Sequence, residues 1–259
     1  TKPATVGQLV EPLGAGPEGV LQRSQTLRVR LFKGALSSVT EAALAAGANR
    51  AAIRRSDHLW EIIQFTTAEE IERGEFILSG LVRAIAGTED AMGAAPHPEG
   101  AAFVLIDNAL VPVPGSLGLI SRHWLAVPSG RPLDNAATDR RIAILGARSE
   151  RPLSPVHLSA AVDANEVLRI RWTRRSRDPV DEFDALEMPL SEEGERYRVT
   201  LGEGSSSASF ETTVAALSLD REAWGGMVGV GQRRLRIAVA QISAMVGVGT
   251  ARQIELQIA

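Results

Sequence analysis

The sequence predicts a mainly β protein in two parts: a β-rich barrel or sandwich domain with one short helix over residues 1–150, then an antiparallel sandwich over residues 151–259. Three observations carry this expectation. Apolar and polar residues alternate in many short runs, the period of a strand with one buried face. Clusters of Gly, Pro, Asn and Asp separate those runs, as turns do in an all-β chain. Only one stretch, Gly34 to Asn49, carries the marks of a helix.

The first element to place is LGAGPEGVLQ, Leu13 to Gln22, in which Gly14, Gly16 and Gly19 spell G-x-G-x-x-G. That pattern holds a dinucleotide pyrophosphate only between a buried strand and the mouth of a helix. Here Pro12 interrupts the approach, and shortly after Gly19 the chain is already in TLRVRLF, Thr26 to Phe32. In that run Leu27, Val29 and Leu31 alternate with Arg28, Arg30 and Phe32, so a strand follows and no crossover helix fits. The glycines read as a surface turn.

In GALSSVTEAALAAGAN, Ser38 and Glu41 have capping-box spacing, an alanine-rich run follows, and Gly47 or Asn49 can supply the left-handed stop. LWEIIQF (Leu59 to Phe65) and GEFILSGLVRAI (Gly74 to Ile85) read as two strands separated by the polar TTAEEIER. AAFVLID, Ala101 to Asp107, is apolar on both faces and suits a central strand, while HWLAV (His123 to Val127) and RRIAIL (Arg140 to Leu145) are shorter. The first domain is expected to end near Glu150. Beyond it, inward sets recur: Val156, Leu158, Ala160 and Val162; Leu168, Ile170 and Trp172; Tyr197, Val199 and Leu201; Leu235, Ile237 and Val239; Ile254, Leu256 and Ile258. Such alternation points to an antiparallel sandwich with Trp172 in its core.

Composition narrows the function classes. A chain of 259 residues can hold two domains with cores of their own. With 28 basic and 31 acidic residues the net charge is −3, so nothing draws the whole molecule to phosphate backbones and no nucleic acid partner is expected. The absence of cysteine excludes disulfides, thiol nucleophiles and thiolate metal sites. No apolar run is long enough to span a membrane, and TKPATVGQLVEP lacks the apolar core of a signal peptide, so the chain reads as soluble. Thr1 in place of an initiator Met suggests an excerpt of a longer polypeptide.

Reactive groups do not converge in the sequence. His58, His97, His123 and His157 are scattered without metal-ligand spacing and read as surface or half-buried imidazoles. There is no G-x-S-x-G and no G-x-x-x-x-G-K-[ST]; GSLG at Gly115 is a turn. The segment Arg174 to Glu195 holds Arg174, Arg175 and Arg177, then Asp178, Asp181, Glu182, Asp184, Glu187, Glu192, Glu193 and Glu195. Its acidic residues lack the glycine and distal glutamate of a calcium loop, and nothing in their spacing supports a general acid and base pair. A solvated, self-neutralising loop is the plain reading, and its length makes it the second domain's best candidate for a partner contact. Trp60 and Trp172 fall in apolar strand patterns and are expected in cores. Trp224, in the glycine-rich DREAWGGMVGVGQ, is expected to be exposed. No catalytic, cofactor-binding or metal-binding residue is assigned, and no cofactor is expected.

Three stretches in order carry a family resemblance: GALSSVTEAALAAGAN with LWEIIQF, then FILSGLVRAIAGTEDAM, then RPLSPVHLSA leading into LRIRWTRRSR. From about Gln22 onward the chain resembles the C-terminal portion of the large tail-tip or baseplate hub proteins of gene transfer agents and related siphophages, which carry a TIM-barrel-like glycoside-hydrolase region upstream. Gly80, Leu81, Arg83, Gly87, Thr88 and Glu89 mark its most specific motif. The family pattern L-L-R-G-Q is replaced here by Leu81, Val82, Arg83, Ala84 and Ile85. The resemblance implies a fibronectin type III-like second domain and a structural virion component, a homotrimer at the tail tip of a phage or gene transfer agent particle, with other tail and baseplate proteins as partners. It supports envelope attachment or penetration rather than catalysis, since any hydrolase activity of that family belongs to the upstream barrel. The alternative is a module at the tail tip binding a host cell-surface receptor or glycan through Trp224 or the acidic loop 178–195.

Overall fold

The structure is a computed structural model that describes residues 3–93, 95–111, 120–143, 148, 150–177, 189–203, 206–228 and 233–258. The chain divides into two compact units, Thr1–Val113 and Pro114–Ala259. Residues 114–150, read in the sequence as the end of the first domain, group with the second unit.

The first unit contains β1 (Val6–Leu9), β2 (Leu21–Gln22), β3 (Leu27–Lys33), α1 (Glu41–Ala45), β4 (Arg50–Arg54), β5 (Trp60–Glu72), β6 (Glu75–Ile85), α2 (Glu89–Met92) and β7 (Ala102–Leu105). Six strands run β6-β3-β1-β7-β4-β5, every neighbour antiparallel, and β5 pairs again with β6. That last pairing closes a barrel, and closure satisfies backbone groups that an open sheet would leave at its edges. The short β2 lies beside the far end of β6. Leu9, Leu27, Val29, Ile53, Ile63, Phe65, Leu78, Leu81 and Phe103 fill the interior. Each such side chain contributes roughly 1.5–3 kcal/mol relative to exposure.

Where TTAEEIER was expected to break the chain into two strands, β5 continues through it to Glu72 and turns at Arg73 and Gly74. The register of β6 holds it extended, with Thr67 opposite Ser79 and Glu69 opposite Ile77. Polar residues there face outward, which a loop reading mistakes for disorder of the pattern. Gly74 has φ +77°, and its N–H donates to Glu70 Oε1 at 2.8 Å. Leu78 and Leu81 are three apart yet both fully buried, which a strand of period two forbids. Gly80 resolves the conflict with φ +62°; a Cβ there would lie 1.9 Å from Thr66 Oγ1.

The helix expected at Gly34 to Asn49 is present as the five-residue α1. Its cap is Thr40, whose Oγ1 accepts from the Ala43 N–H at 3.2 Å, rather than Ser38. Ser38 instead binds strand β5, accepting from the Ala68 N–H at 3.0 Å.

The second unit holds a hairpin of β8 (Arg122–Ala126) and β9 (Asp139–Ala143), then β10 (Val156–Val162), β11 (Leu168–Thr173), β12 (Tyr197–Glu203), β13 (Ser206–Thr212), β14 (Ala216–Leu219), α3 (Arg221–Gly225), β15 (Arg234–Ser243), β16 (Gly247–Val248) and β17 (Arg252–Gln257). Strands β10-β11-β14 form one sheet. The other runs β13-β12-β15, with β16 and β17 dividing the outer edge of β15 between them. All pairs are antiparallel. A three-stranded sheet packed on a five-stranded one, whose last two short strands share one edge of β15, makes the fibronectin type III-like sandwich. Its core is the alternating set read from the sequence: Leu168, Ile170, Trp172, Tyr197, Val199, Leu201, Leu235, Ile237 and Val239. Trp172 and Tyr197 meet edge to face with ring centroids 5.0 Å apart. No helix among the described residues is long and apolar enough to cross a membrane.

Candidate functional site

Glu61, Ile63 and Phe65 share one face of β5, and all three are fully buried. A carboxylate on the inward face of a barrel must be paired, because burying an uncompensated charge is costly. Its partner comes from β6, where Arg83 shares the inward face with Leu81. Arg83 grips the carboxylate with both arms of its fork, Nε to Oε1 at 2.6 Å and Nη2 to Oε2 at 2.8 Å. The Ala84 N–H donates to Oε1 at 3.0 Å, and His97 Nε2 lies 2.5 Å from Oε2. Burial pushes the Glu61 carboxyl up, and the hydrogen bonds from His97 and Arg83 together with the guanidinium charge outweigh it, holding the carboxyl below its ordinary range.

The G-x-G-x-x-G turn closes over this cluster. Arg83 Nη1 donates to Gly14 O at 3.0 Å and to Gln25 Oε1 at 2.9 Å, and the Gly19 N–H donates to Arg83 O at 2.9 Å. Leu13 and His97 exchange backbone hydrogen bonds at 3.0 and 2.9 Å. Gly19 takes φ +66°, and a Cβ on Gly16 would crowd the Gln25 and Gln22 amides. These glycines let a tight turn lie against a buried guanidinium; no helix follows them. On the other side, Thr88 Oγ1 accepts from the Ile62 N–H at 3.0 Å and donates to Ile85 O at 2.7 Å, anchoring the start of α2.

Chemically, the cluster has both carboxylate oxygens engaged and all three charged or titratable side chains at zero exposure. Nothing reaches them from solvent, so the arrangement staples a turn, a hairpin and a loop into one body. Among the described residues, no group of three or more His, Asp or Glu side chains is placed to hold a metal ion.

Two expectations are overturned by the same parity. His97 was read as a surface or half-buried imidazole, but it is fully buried against Glu61, which sequence spacing could not pair with it. Trp60 was expected in a core and is 37% exposed, because Glu61 takes the inward phase of LWEIIQF and turns Trp60 outward beside Arg54. His58, His123 and His157 are exposed, as expected.

In the second unit, Trp224 was expected to be exposed and is fully buried. Asp220 caps α3 by accepting from the Ala223 N–H at 3.0 Å, and the helix drops the indole onto the sandwich core. Its Nε1–H donates to Glu166 O at 3.0 Å, and the Arg221 guanidinium lies 4.4 Å from the ring centroid. Of the acidic segment, residues 178–188 lie outside the described residues. Its flanks neutralise each other: Arg177 Nη2 donates to Glu192 Oε1 at 2.7 Å and Nη1 to Glu150 Oε2 at 3.3 Å.

The first unit is where a family signal falls. Residues 4–104, less than half of the chain, match the family model described as Rcc01698-like, C-terminal. Rcc01698 is a gene associated with the gene transfer agent of Rhodobacter capsulatus, and the match is consistent with a protein related to gene transfer agents. No curated protein matches the chain. Among solved structures, domains d3-d4 of the rat CD45 extracellular region align with 59% of this chain and 72% of their own, at 8% identity and TM-score 0.30. The FN1-FN3 domains of chicken CNTN1 align with 95% and 66%, at 14% identity and TM-score 0.27. A beta-1,2-glucanase from Parabacteroides distasonis aligns with 94% and 29%, at 13% identity and TM-score 0.23. These likenesses are distant.

Proposed function

We propose that the chain is a structural subunit of a phage-like tail tip or baseplate hub, in a gene transfer agent or virion particle, where it builds the tail end and supports envelope attachment or penetration. The match of residues 4–104 to the Rcc01698-like C-terminal model carries this reading. The motif residues are consistent with it: Arg83 is spent on Glu61, Gly80 on a change of face within β6 and Thr88 on a helix start, all of them scaffold duties.

On this reading the chain performs no catalytic step. A catalytic carboxylate must touch substrate, and Glu61 is enclosed with its oxygens occupied. The glycan-binding alternative loses its aromatic anchor, since the Trp224 ring lies in the core.

Deleting the coding region and imaging the resulting particles tests the proposal. Particles with truncated or open tail ends are expected, together with mass-spectrometric detection of the chain in wild-type tails. Normal tails without the chain would overturn it.

A further inference from the structure

The sandwich of the second unit leaves one long strand edge open. Proteins guard exposed edges with bulges, charges, proline or brevity, because an unpaired row of N–H and C=O groups invites another strand. Here β10 carries a register shift between Val156 and Ser159 and lies beside β17. β14 has four residues and β16 two. β13 has none of these protections. Its seven residues, Ser206–Thr212, pair with β12 in unbroken register and include no proline, lysine or arginine. Its one charge, Glu211, is neutralised by Arg198 at 3.0 Å and Arg196 at 3.5 Å. Among the described residues, no strand lies on its outer side.

The register shows which backbone groups point outward. The Ile242 N–H donates to Arg196 O at 2.8 Å, so Arg196 turns its backbone groups toward β15. Those groups alternate in direction along a strand, so Tyr197, Val199 and Leu201 turn theirs toward Thr212, Phe210 and Ala208 of β13. Ser209 and Glu211 are left with N–H and C=O facing away from β12. Phe210, between them, packs against the core but is only partly buried.

We propose that β13 pairs with the β13 of a second copy of this chain, antiparallel about a twofold axis through Phe210. Only an extended backbone satisfies such an edge, and the other sandwich edges that a second copy offers are guarded, so the occupant is the twin strand. In this register Ser209 and Glu211 of one copy exchange hydrogen bonds with Glu211 and Ser209 of the other, and no like charges stand directly opposite. The two Phe210 rings meet at a non-hydrogen-bonded position, where cross-strand side chains come closest. The contact is isologous and closes on itself as a pair. It goes beyond the tail reading, which rests on residues 4–104, and either stands without the other.

Sedimentation velocity and cysteine cross-linking of the full chain test it. Wild type is expected to dimerise as concentration rises. Ser209→Pro removes an N–H that faces outward, so the sandwich should keep its tryptophan emission midpoint. Each dimer then lacks two hydrogen bonds, and association is expected to weaken at least about tenfold. The chain has no cysteine, so Phe210→Cys introduces a single reporter. Its thiol should join that of the second copy under a mild oxidant, since Cα atoms at such a position lie about 4.5 Å apart, within disulfide reach. Ala208→Cys shares the face but sits opposite Thr212 of the second copy, and should stay unlinked. A monomeric wild type, undiminished dimerisation of a folded Ser209→Pro, a Phe210→Cys that fails to link, or an Ala208→Cys that links as fast overturns the inference.

Discussion

Arg83 is the residue whose loss the first unit tolerates least. Truncating it leaves the Glu61 carboxylate buried without its fork, and breaking a buried pair in this way costs about 3–5 kcal/mol. Arg83→Ala is therefore expected to lower the thermal midpoint of the barrel steeply, as followed by circular dichroism. Acid acts on the same group. A carboxyl held low in the folded state stabilises the fold above its unfolded value, and that contribution fades as pH falls through the folded value. Denaturant midpoints measured between about pH 6 and pH 2 should thus decline for wild type and decline less for Glu61→Gln. Some slope should survive in that variant from Glu75, which Arg30 and Arg28 also hold low. Gly80→Ala joins a left-handed φ to a clash with Thr66 Oγ1, and a loss of about 1–3 kcal/mol is expected, partly recovered by Thr66→Ala.

At the scale of elements, legibility followed amphipathicity. The sandwich strands β10, β11, β12, β15 and β17 bury one face each, and their apolar sets were plain in the sequence. β13 was not, because SSASFET offers serine where a strand reader looks for β-branched residues, and only its register with β12 keeps it extended. β1 and β4 were too short to stand out from their Gly- and Ala-rich surroundings. The buried cluster leaves one mark in the sequence: Glu61 and Arg83 each occupy the inward phase of an otherwise apolar strand. Nothing local could have supplied His97, which arrives from a distant loop. Trp224 misled because a glycine-rich neighbourhood reads as loop, while the helix start at Asp220 decides where the ring goes. Removing that cap with Asp220→Ala should cost about 1 kcal/mol and raise the accessibility of the Trp224 indole to acrylamide quenching.

The whole molecule carries two cores, one in each unit, so its unfolding need not be a single event. Trp172 and Trp224 are both buried in the second unit, whereas Trp60 in the first is already partly in water. The red shift of tryptophan emission should therefore report mainly the sandwich, and Arg83→Ala should move the barrel transition while leaving that emission midpoint in place. The barrel has one more property of note. Its first and last strands are direct neighbours, with Val6 opposite Val104 and the Leu105 N–H donating to Thr5 O at 3.0 Å. A polypeptide therefore arrives and departs through one doorway, and a barrel of this kind can be spliced into a host protein as a cassette without prising the flanking pieces apart. Opening the ring at Arg73 and Gly74 while joining the old ends should give a circular permutant that still folds.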